Sequence, residues 1–511
     1  MGLRTTAAQD TRNDKELKLA SIAPAYGDLE AKGRWKAFSA LALGLLFGVM
    51  DFGGVSVAVP SIAHDLTLTL STASWVVLAS SLTISAVLLP VGGVSDMMDR
   101  RRMYVLGGAL FVCGAFTVGA APSLLALMIG RVVEALGAAV VMANGMAIAA
   151  SLFPKGQRGR GMGLIAMFVG FGAVAGPVVA GTVVEQLGWR AFFYLVGAGA
   201  SVALVWAWLT LDEVRVCPPS ERSFRGYDWA GAILSGGALT VLVLLLTFGN
   251  RLGWGSAVII VAIIATVVLF AMFWVRELTT PRPMLNLAMF RDIRLASAIS
   301  ARYLGFLGSS AWAFLMPFYL QDVLGMDPGD VGLVMAPAAV AFTLFAAFSG
   351  RLSDEWGTKR FAVAGLLAVG FAELLFAFFD QHTSLALIVF GLFLNGAGMG
   401  LWVAPNMSAV INRVDSSKHG VASALMNLAR NTGSMTSIAM ATAVVASVMV
   451  THGGAADLSA LAPGGTGNLV GAFLSGSHYA YLVLAGCAML AAAASTITGS
   501  QRDEPDSMGE I

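Results

Sequence analysis

Four ionisable side chains stand in long apolar stretches of this 511-residue chain. They are Asp51, Arg131, Glu134 and Glu373. A charge in apolar surroundings is costly unless it is paired, hydrogen-bonded or neutralised by a proton. Acids and bases in such positions are therefore candidates for taking up and releasing a proton, or for binding a charged ligand.

The composition of the chain places these stretches in a membrane. The chain is 57% hydrophobic and 12% charged, and its mean hydropathy is +0.78. These values exclude a soluble globular protein. A bilayer core of roughly 30 Å takes about 20 apolar residues per helix, and the chain repeats such runs between short polar breaks. The runs lack the alternation of a membrane β-barrel, so the sequence predicts an all-α membrane protein.

The apolar runs predict fourteen membrane spans. These are residues 37–60, 74–95, 103–122, 124–149, 160–184, 190–211, 229–248, 256–275, 296–320, 330–350, 361–380, 384–411, 421–449 and 477–498. Most of the 31 Lys and Arg residues lie in the two tails and in the loops on their side of the membrane, whereas Arg190 and Arg251 lie opposite. By the positive-inside rule, both termini are predicted to be cytoplasmic.

The span count predicts the domain organisation. Residues 1–36 form a cytoplasmic tail, 37–211 a six-helix bundle, 212–295 cytoplasmic connectors with two inserted helices, 296–498 a second six-helix bundle and 499–511 a second cytoplasmic tail. The first tail lacks an apolar stretch before a small-residue cleavage site, so it is not expected to be a signal peptide. The three widely separated Cys residues indicate neither a disulfide framework nor a metal site.

Three of the four charged residues are predicted to lie at one depth. Along a helix with a rise of 1.5 Å per residue, Asp51 lies roughly 13 Å from Pro60. Arg131 and Glu134 lie roughly 12 and 16 Å into the fourth span by the same rise, and their spacing puts them on one helix face. Two acids beside one base favour a proton on one acid. The alternative is a structural cluster that stays ionised.

Three further charges lie within spans. Glu373 is near the outer end of the eleventh span, where it points either into a cavity or toward the interface. Arg302 is near the cytoplasmic end of its span and is expected to snorkel toward water. Arg430 lies deeper, and its sequence context assigns it no function.

One polar pattern occurs twice, half a chain length apart. The strings are GGVSDMMDRRR at residues 92–102 and GRLSDEWGTKR at residues 350–360. Each falls in a short cytoplasmic connection between two predicted spans. The basic residues alone would follow from the positive-inside rule, but the shared Gly and Asp would not. The chain is therefore predicted to contain two repeats of one helical arrangement.

These strings resemble the cytoplasmic signature of the major facilitator superfamily, Gly-x-Leu-Ala-Asp-Arg-x-Gly-Arg-Lys/Arg. The matching residues are Gly92, Asp96, Arg100 and Arg101 in the first string, and Gly350, Leu352, Asp354, Gly357, Lys359 and Arg360 in the second. The first string has Met97 and Asp99 where the signature has Arg and Gly. The resemblance implies the major facilitator fold and a charge latch in which Asp96 and Asp354 hold one access state.

Other motifs resemble the fourteen-spanner drug:proton antiporters of this superfamily. MDFGGVSVAVP at residues 50–60 is similar to their first-span pattern, which includes Asp51. GAVAGPVVAG at residues 172–181 is similar to their fifth-span antiporter motif, with Gly172, Gly176, Pro177 and Gly181 in the matching places. Its small residues permit close helix packing, and its Pro favours a bend.

The fourth span and three further stretches extend this resemblance over nearly the whole chain. Arg131 takes the place of the Arg in the family's fourth-span pattern, while Glu134 replaces its Gln. WRAFFYLV, PFYLQDVLGMDP and RNTGS are also similar to stretches of the family. The resemblance implies export of lipophilic, cationic drugs or biocides in exchange for protons, by alternating access.

Other classes of function fit the sequence less well. The chain has no Walker-type phosphate loop, no His/Cys metal spacing and no nucleophile elbow, so an enzyme is not expected. Two inexact repeats suit a carrier better than a channel. The expected cofactor is none, with the proton gradient as driving force. The expected partners are small-molecule substrates, protons and the lipid bilayer of a bacterial plasma membrane, with no nucleic acid and no second copy. Export of one defined metabolite, amino acid or lipid fits every motif equally well.

Overall fold

The computed structural model describes residues 31–95, 98–152, 158–211, 228–253, 255–280, 292–411, 419–451 and 467–497. These residues are almost entirely helical, as a bilayer requires, because a helix satisfies its backbone hydrogen bonds within one segment. The helices of the N-terminal half are α1 (Ala31–Asp65), α2 (Leu70–Ala73), α3 (Trp75–Ser95), α4 (Arg100–Gly119), α5 (Leu124–Leu152), α6 (Arg158–Leu187) and α7 (Trp189–Thr210).

A two-helix insertion and a C-terminal half follow. The insertion consists of α8 (Trp229–Leu252) and α9 (Ala257–Thr279). The C-terminal half contains α10 (Ile293–Ser309), α11 (Trp312–Phe318), α12 (Pro328–Trp356), α13 (Thr358–Ala377), α14 (Leu385–Ile411), α15 (His419–Thr451) and α16 (Gly467–Ser495), with a π-helical turn at Tyr319–Val323 after α11.

Thirteen helical segments of the described residues are long and apolar enough to cross a bilayer. The segment Ile293–Val323, which joins α10, α11 and the π-helical turn, counts as one of them. The seventh predicted span corresponds to α8, whose apolar stretch Trp229–Leu242 is shorter than the others. The all-α membrane architecture is thus confirmed, and the count of fourteen spans stays a prediction.

Three predicted spans differ clearly from the observed helices. The span predicted at 477–498 corresponds to α16, which already begins at Gly467. α1 starts at Ala31, inside the predicted tail, and continues through Pro60 to Asp65. Proline is tolerated in membrane helices because neighbouring groups satisfy the freed backbone. The predicted span 296–320 is interrupted between α10 and α11. At this break the backbone N–H of Ala311 donates to Ser437 Oγ of α15 at 3.0 Å, so a neighbouring helix stabilises the interruption.

The two halves use the same helix pairings. In the N-terminal half, α1 packs on α6 and α7, and α4 packs on α5 and α7. In the C-terminal half, α10 packs on α15 and α16, and α13 packs on α14 and α16. The repeated polar strings occupy equivalent connections, one between α3 and α4 and the other between α12 and α13. The sequence repeat therefore reflects a structural repeat.

The two repeated polar strings differ in backbone conformation at Gly357 and at its equivalent, Asp99. Gly357 ends α12 with a φ of 88°, a backbone conformation that favours glycine. Asp99 takes the equivalent place in the first string with extended backbone, and its side chain caps α4 by accepting the N–H of Arg101 at 2.9 Å. The change from Gly to Asp therefore exchanges a glycine turn for a helix cap.

The other residues of the two repeated strings lie at the ends of the helices that each connection joins. Gly92 lies in α3 and Gly350 in α12, while Arg100 and Arg101 begin α4 and Lys359 and Arg360 begin α13. Asp96 lies outside the described residues, and only the backbone of Asp354 is described, within α12. The latch role predicted for these two acids therefore stays a prediction.

The halves share a hydrophobic core at one end of the bundle only. We call the end where α1 begins and α16 ends the terminal end, and the opposite end the far end. At the far end, Ile62 and Leu70 belong to the same core as Leu320 and Val331 of the other half. Among the described residues nearer the terminal end, the remaining core clusters each belong to a single half. The described part of the bundle is closed at the far end.

Polar contacts join the halves at the far end as well. His64 Nε2 and Asp322 Oδ1 lie 2.8 Å apart. Gln321 Nε2 donates to the carbonyl oxygen of Val57 at 3.0 Å. These contacts connect the end of α1 with the π-helical turn after α11, so opening the far end requires breaking them.

The inserted helices lie across the two halves. α8 packs on α3 of one half and on α15 of the other. Trp75 and Phe248 stack with ring centroids 5.6 Å apart, and a Cβ at Gly236 would lie 3.4 Å from the carbonyl oxygen of Ala86. α9 packs mainly on α8, and only 11% of its most apolar stretch is buried inside the protein.

Candidate functional site

A buried ionic cluster joins three of the predicted site residues. Arg131 Nη1 donates to Asp51 Oδ2 at 3.0 Å and to Oδ1 at 3.3 Å. The same nitrogen donates to Glu134 Oε2 at 2.6 Å. The three residues are between 2% and 5% exposed. One buried guanidinium therefore forms hydrogen bonds with two buried carboxylates.

Neighbouring helices hold Arg131 in this position. Its Nε donates to the carbonyl oxygen of Val76 on α3 at 3.2 Å, and its guanidinium carbon lies 5.7 Å from the centroid of the Phe193 ring on α7. A Cβ at Gly114 of α4 would collide with the backbone nitrogen of Glu134. This glycine lets α4 approach α5 at the level of the cluster, so five helices converge on it.

The charges of the cluster do not cancel when all three groups are ionised. Two carboxylates face one guanidinium, which leaves one excess negative charge. Glu134 Oε1 is buried and has no hydrogen-bond partner among the described residues. A buried, unsatisfied carboxylate oxygen is costly, and one proton on the carboxylate pair removes that cost. The chemistry that this arrangement offers is the uptake and release of a proton.

The antiporter motif packs directly beside Asp51. A Cβ at Gly176 would lie 2.8 Å from the carbonyl oxygen of Met50, the residue before Asp51. A Cβ at Gly172 would lie 3.0 Å from the carbonyl oxygen of Leu46, so two glycines of α6 face α1.

The same motif also contacts the other half. A Cβ at Gly181 would collide with the carbonyl oxygen of Pro328 on α12. A Cβ at Gly332 of α12 would collide with that of Pro177. α6 thus lies between the helix that carries Asp51 and the opposite half.

Glu373 lies apart from the cluster, in the C-terminal half. It is fully buried, and its Oε1 accepts a hydrogen bond from Asn395 Nδ2 on α14 at 3.0 Å. Because it is buried, it does not reach toward the interface, and its role as a substrate or proton site stays a prediction. Its Oε2 and the Oδ1 of Asn395 have no partner in the described part of the chain. A proton on Oε2 can donate to Oδ1, and the acid and amide then form a pair with two hydrogen bonds.

We expect Glu373→Gln to leave the stability of the protein within about 1 kcal/mol of the wild type, as for the exchange of one satisfied polar group for another. The glutamine amide supplies the N–H that the protonated acid would supply. Thermal unfolding of the purified protein in detergent measures the effect. Asn395→Leu is the contrasting variant, because it leaves Glu373 buried with no partner, and its unfolding temperature should fall. Destabilisation of Glu373→Gln to the same extent as Asn395→Leu would show that Glu373 is ionised.

Arg302 does not snorkel, contrary to the prediction from its place near a helix end. It is 5% exposed. Its Nε donates to the carbonyl oxygen of Met426 at 3.0 Å, and its Nη1 lies 3.4 Å from that of Val403 and 3.5 Å from Asn406 Oδ1. Backbone carbonyls of two neighbouring helices draw the guanidinium inward.

His64 and Asp322 were not among the site residues predicted from the sequence. Their separation is 258 residues, which is also the separation of Gly92 and Gly350 in the repeated strings. His64 and Asp322 therefore occupy equivalent positions of the two repeats. Oppositely charged residue types at equivalent span ends were a signal that could have found this contact.

Comparison with known proteins identifies the family. The sequence model described as Major Facilitator Superfamily matches residues 41–224 and 214–438. The multidrug resistance protein Stp of Mycobacterium tuberculosis (strain CDC 1551 / Oshkosh) is 31% identical over 409 residues, which cover 80% of this chain and 75% of that protein. The riboflavin transporter RibZ of Clostridioides difficile (strain 630) is 26% identical over 402 residues, which cover 78% and 86%.

A solved structure shares the fold. The crystal structure of a bacterial homologue of the human lysosomal transporter Spinster superposes with a TM-score of 0.67 at 16% identity, covering 92% of this chain and 98% of that one. Together with the helical repeat and the family match, these similarities indicate a transporter and not an enzyme. The chain is a membrane transporter that belongs to the major facilitator superfamily.

Proposed function

We propose that the chain exports lipophilic, cationic drugs or biocides in exchange for protons. The observation that carries this proposal is the buried cluster of Asp51, Arg131 and Glu134, in which two acids share one base. A carrier coupled to protons needs a group that loses its proton on one side of the membrane and regains it on the other. The name of Stp, a multidrug resistance protein, supports the class of cargo.

The way the halves meet supports transport by alternating access. The shared core at the far end and the separate cores toward the terminal end suit a state that is open at the terminal end. We place the terminal end in the cytoplasm, as the distribution of Lys and Arg predicts, in the plasma membrane of a bacterium. In this orientation the described state accepts cargo from the cytoplasm. Outward release requires the halves to separate at the far end.

The coupling step places the proton and the cargo in competition. When the carboxylate pair is ionised, the cluster carries one excess negative charge, which attracts a cation across a low-dielectric interior. When a proton occupies the pair, that attraction is lost. The 24 Met and 29 Phe residues can supply apolar walls that tolerate varied shapes. A lipophilic cation is therefore favoured in the state from which the proton has left.

A second candidate function is the export of one defined metabolite. The name of RibZ, a riboflavin transporter, favours this alternative, because RibZ matches the chain over a similar length. The two candidates differ in the breadth of the site and share the proton cluster.

The test is expression of the chain in a bacterial host that lacks its own efflux pumps. Killing curves and dye accumulation are measured for a panel of cationic, neutral and anionic compounds. Protection against several unrelated lipophilic cations, lost when a protonophore dissipates the gradient, is the expected result. Protection confined to one neutral or anionic metabolite would instead establish the dedicated exporter.

A further inference from the structure

A polar face runs along the middle of α15. Asn427, Arg430, Asn431 and Ser434 recur at a spacing of three to four residues and are all partly exposed, whereas Met426 and Ala429 beside them are buried. Polar side chains at membrane depth face protein or a water-filled space, because lipid does not solvate them. This face of α15 therefore borders the interior of the transporter.

Arg430 and Arg302 lie close together on this side of the C-terminal half. Arg302 is bonded to the carbonyl oxygen of Met426, which is one helical turn from Arg430 on α15. The two residues lie roughly 14 and 17 Å from the starts of their helices, α10 and α15, at 1.5 Å per residue. Both guanidinium groups are thus deep in the span, in the half that lacks the proton cluster.

Among the described residues, no carboxylate pairs with either of these two cations. In the described ranges, neither Arg302 nor Arg430 forms an ion pair. The buried acids that the sequence places within spans have other partners, since Asp51 and Glu134 bind Arg131 and Glu373 binds Asn395. A buried cation beside a partly exposed one is costly without a counter-ion, and an anionic group between them offsets that cost.

Most hydrogen-bond donors of Arg430 are not used within the described part of the chain. Its Nε donates to Asn431 Oδ1 at 3.2 Å, and its two terminal nitrogens have no hydrogen-bond partner in the described part of the chain. Arg302 differs, because the carbonyls of Met426 and Val403 already fix it. The two terminal nitrogens of Arg430 can therefore bind a carboxylate or phosphate with two parallel hydrogen bonds. Arg302 supplies a second positive charge in a fixed position.

The break between α10 and α11 adds polar groups on the same side. Ser310 Oγ at the break lies 2.8 Å from Ser434 Oγ, one helical turn beyond Arg430. The hydroxyl of Tyr303 on α10 donates to Thr436 Oγ1 at 3.4 Å. Broken helices line substrate sites in several transporter folds, because the interrupted backbone is tolerated where it borders a cavity.

We propose that Arg430, supported by Arg302, binds an acidic group of the cargo that enters between the two halves. This inference rests on the proposed function and deepens it: the cluster of Asp51 attracts a cation, and the arginine pair binds a carboxylate or phosphate on the same molecule. The favoured cargo is an amphoteric, largely apolar compound. A simple lipophilic cation fills only one of the two subsites.

Two xanthene dyes that differ in one group provide the test. Rhodamine 110 carries a free carboxylate, and rhodamine 123 is its methyl ester. Binding of each dye to the purified, detergent-solubilised transporter is measured by fluorescence polarisation at neutral pH without a proton gradient. The wild type should bind rhodamine 110 about 10- to 100-fold more tightly than rhodamine 123, as for one charge-assisted, two-bond contact.

Variants of Arg430 assign this preference to the proposed subsite. Arg430→Gln should remove the preference while leaving the affinity for rhodamine 123 unchanged, which also shows that the variant is folded. Arg430→Lys should keep part of the preference. Arg294→Gln at the start of α10 is the control, because it removes a positive charge from the same half away from the site, and it should behave as the wild type.

Competition on the wild type keeps the proposal testable if a variant fails to fold. Benzoate should displace rhodamine 110, and benzamide, which has the same shape without the charge, should not. An equal affinity of the wild type for the two dyes, or equal competition by benzoate and benzamide, would overturn the subsite. Neither result depends on proton-driven export, so a failure of the proposed function in vesicles stays distinguishable.

A lipid phosphate is the other source of a matching anion. The dye measurements are therefore repeated in nanodiscs of phosphatidylcholine and of phosphatidylglycerol. Equal binding in both discs is expected for a cargo subsite. Loss of rhodamine 110 binding in phosphatidylglycerol alone would assign the arginine pair to lipid and overturn the cargo assignment.

Discussion

Asp51→Asn is expected to reduce export driven by a pH gradient to the level of vesicles without the transporter. Asn has the shape of Asp, and its Oδ1 can still accept a hydrogen bond from Arg131, which bonds the wild-type carboxylate at 3.0 and 3.3 Å. The substitution removes one of the two carboxylates and leaves Arg131 and Glu134 as a neutral pair. That pair has no excess charge for a proton to remove, so the driving reaction is lost.

Everted membrane vesicles provide the measurement. Export of a fluorescent dye, which in everted vesicles is movement into the lumen, is followed after an imposed pH gradient. Dye exchange without a gradient is followed separately. We expect Asp51→Asn to lose the first activity and to retain exchange of a neutral dye, because the fold persists and only a cationic dye depends on the excess negative charge of the cluster. Asp65→Asn on the same helix is the matched control, since Asp65 is exposed and bonded to Arg190. Full gradient-driven efflux by Asp51→Asn would remove Asp51 from the coupling mechanism.

Arg131→Met is expected to destabilise the folded protein by about 3 to 5 kcal/mol, as does the loss of one partner from a buried ion pair. The carboxylates of Asp51 and Glu134 would then face each other at 7% and 2% side-chain exposure with no cation between them. The measurement is unfolding of the purified protein in detergent. Arg190→Met is the control, because Arg190 and Asp65 are 40% and 45% exposed, and its cost should stay below about 1 kcal/mol.

A neutral cluster separates the effect of charge from the effect of packing. The triple variant Asp51→Asn, Glu134→Gln and Arg131→Met carries no charge at this position, so it should recover much of the stability that Arg131→Met loses. Equal destabilisation of the triple and single variants would show that the shape of Arg131, and not its charge, stabilises this part of the bundle.

The ionic cluster is the part of the site that could be predicted furthest from the sequence. The rise of a helix gives the depth of each residue, and the three-residue spacing gives a common face for Arg131 and Glu134. α1 extends past Pro60 to Asp65, so Asp51 lies deeper from its helix end than predicted. The three groups still meet, because the opposite charges select the orientation of α1 relative to α5.

Other features depend on neighbours that one segment cannot reveal. A position near a helix end predicted a snorkelling Arg302, but the carbonyls of Met426 and Val403 hold it inside. The run 296–320 is apolar without interruption, and the break at Ser310 needs a hydroxyl from Ser437 on a distant helix. Glu373 likewise needs Asn395. In each case the deciding partner lies far away in the chain.

The position of α8 bears on how a lipophilic compound could reach the transporter from the membrane. A lipophilic molecule dissolves in the membrane, and the line along which α3 and α15 contact each other is a lateral boundary between the two halves. α8 packs on both of these helices and covers this boundary from the outside. If the halves move against each other as proposed, α8 would have to shift relative to α3 or α15, and it meets α3 through the small residues Gly236 and Ala86. If the chain exports lipophilic compounds as proposed, α8 would limit their return to the bilayer through this face.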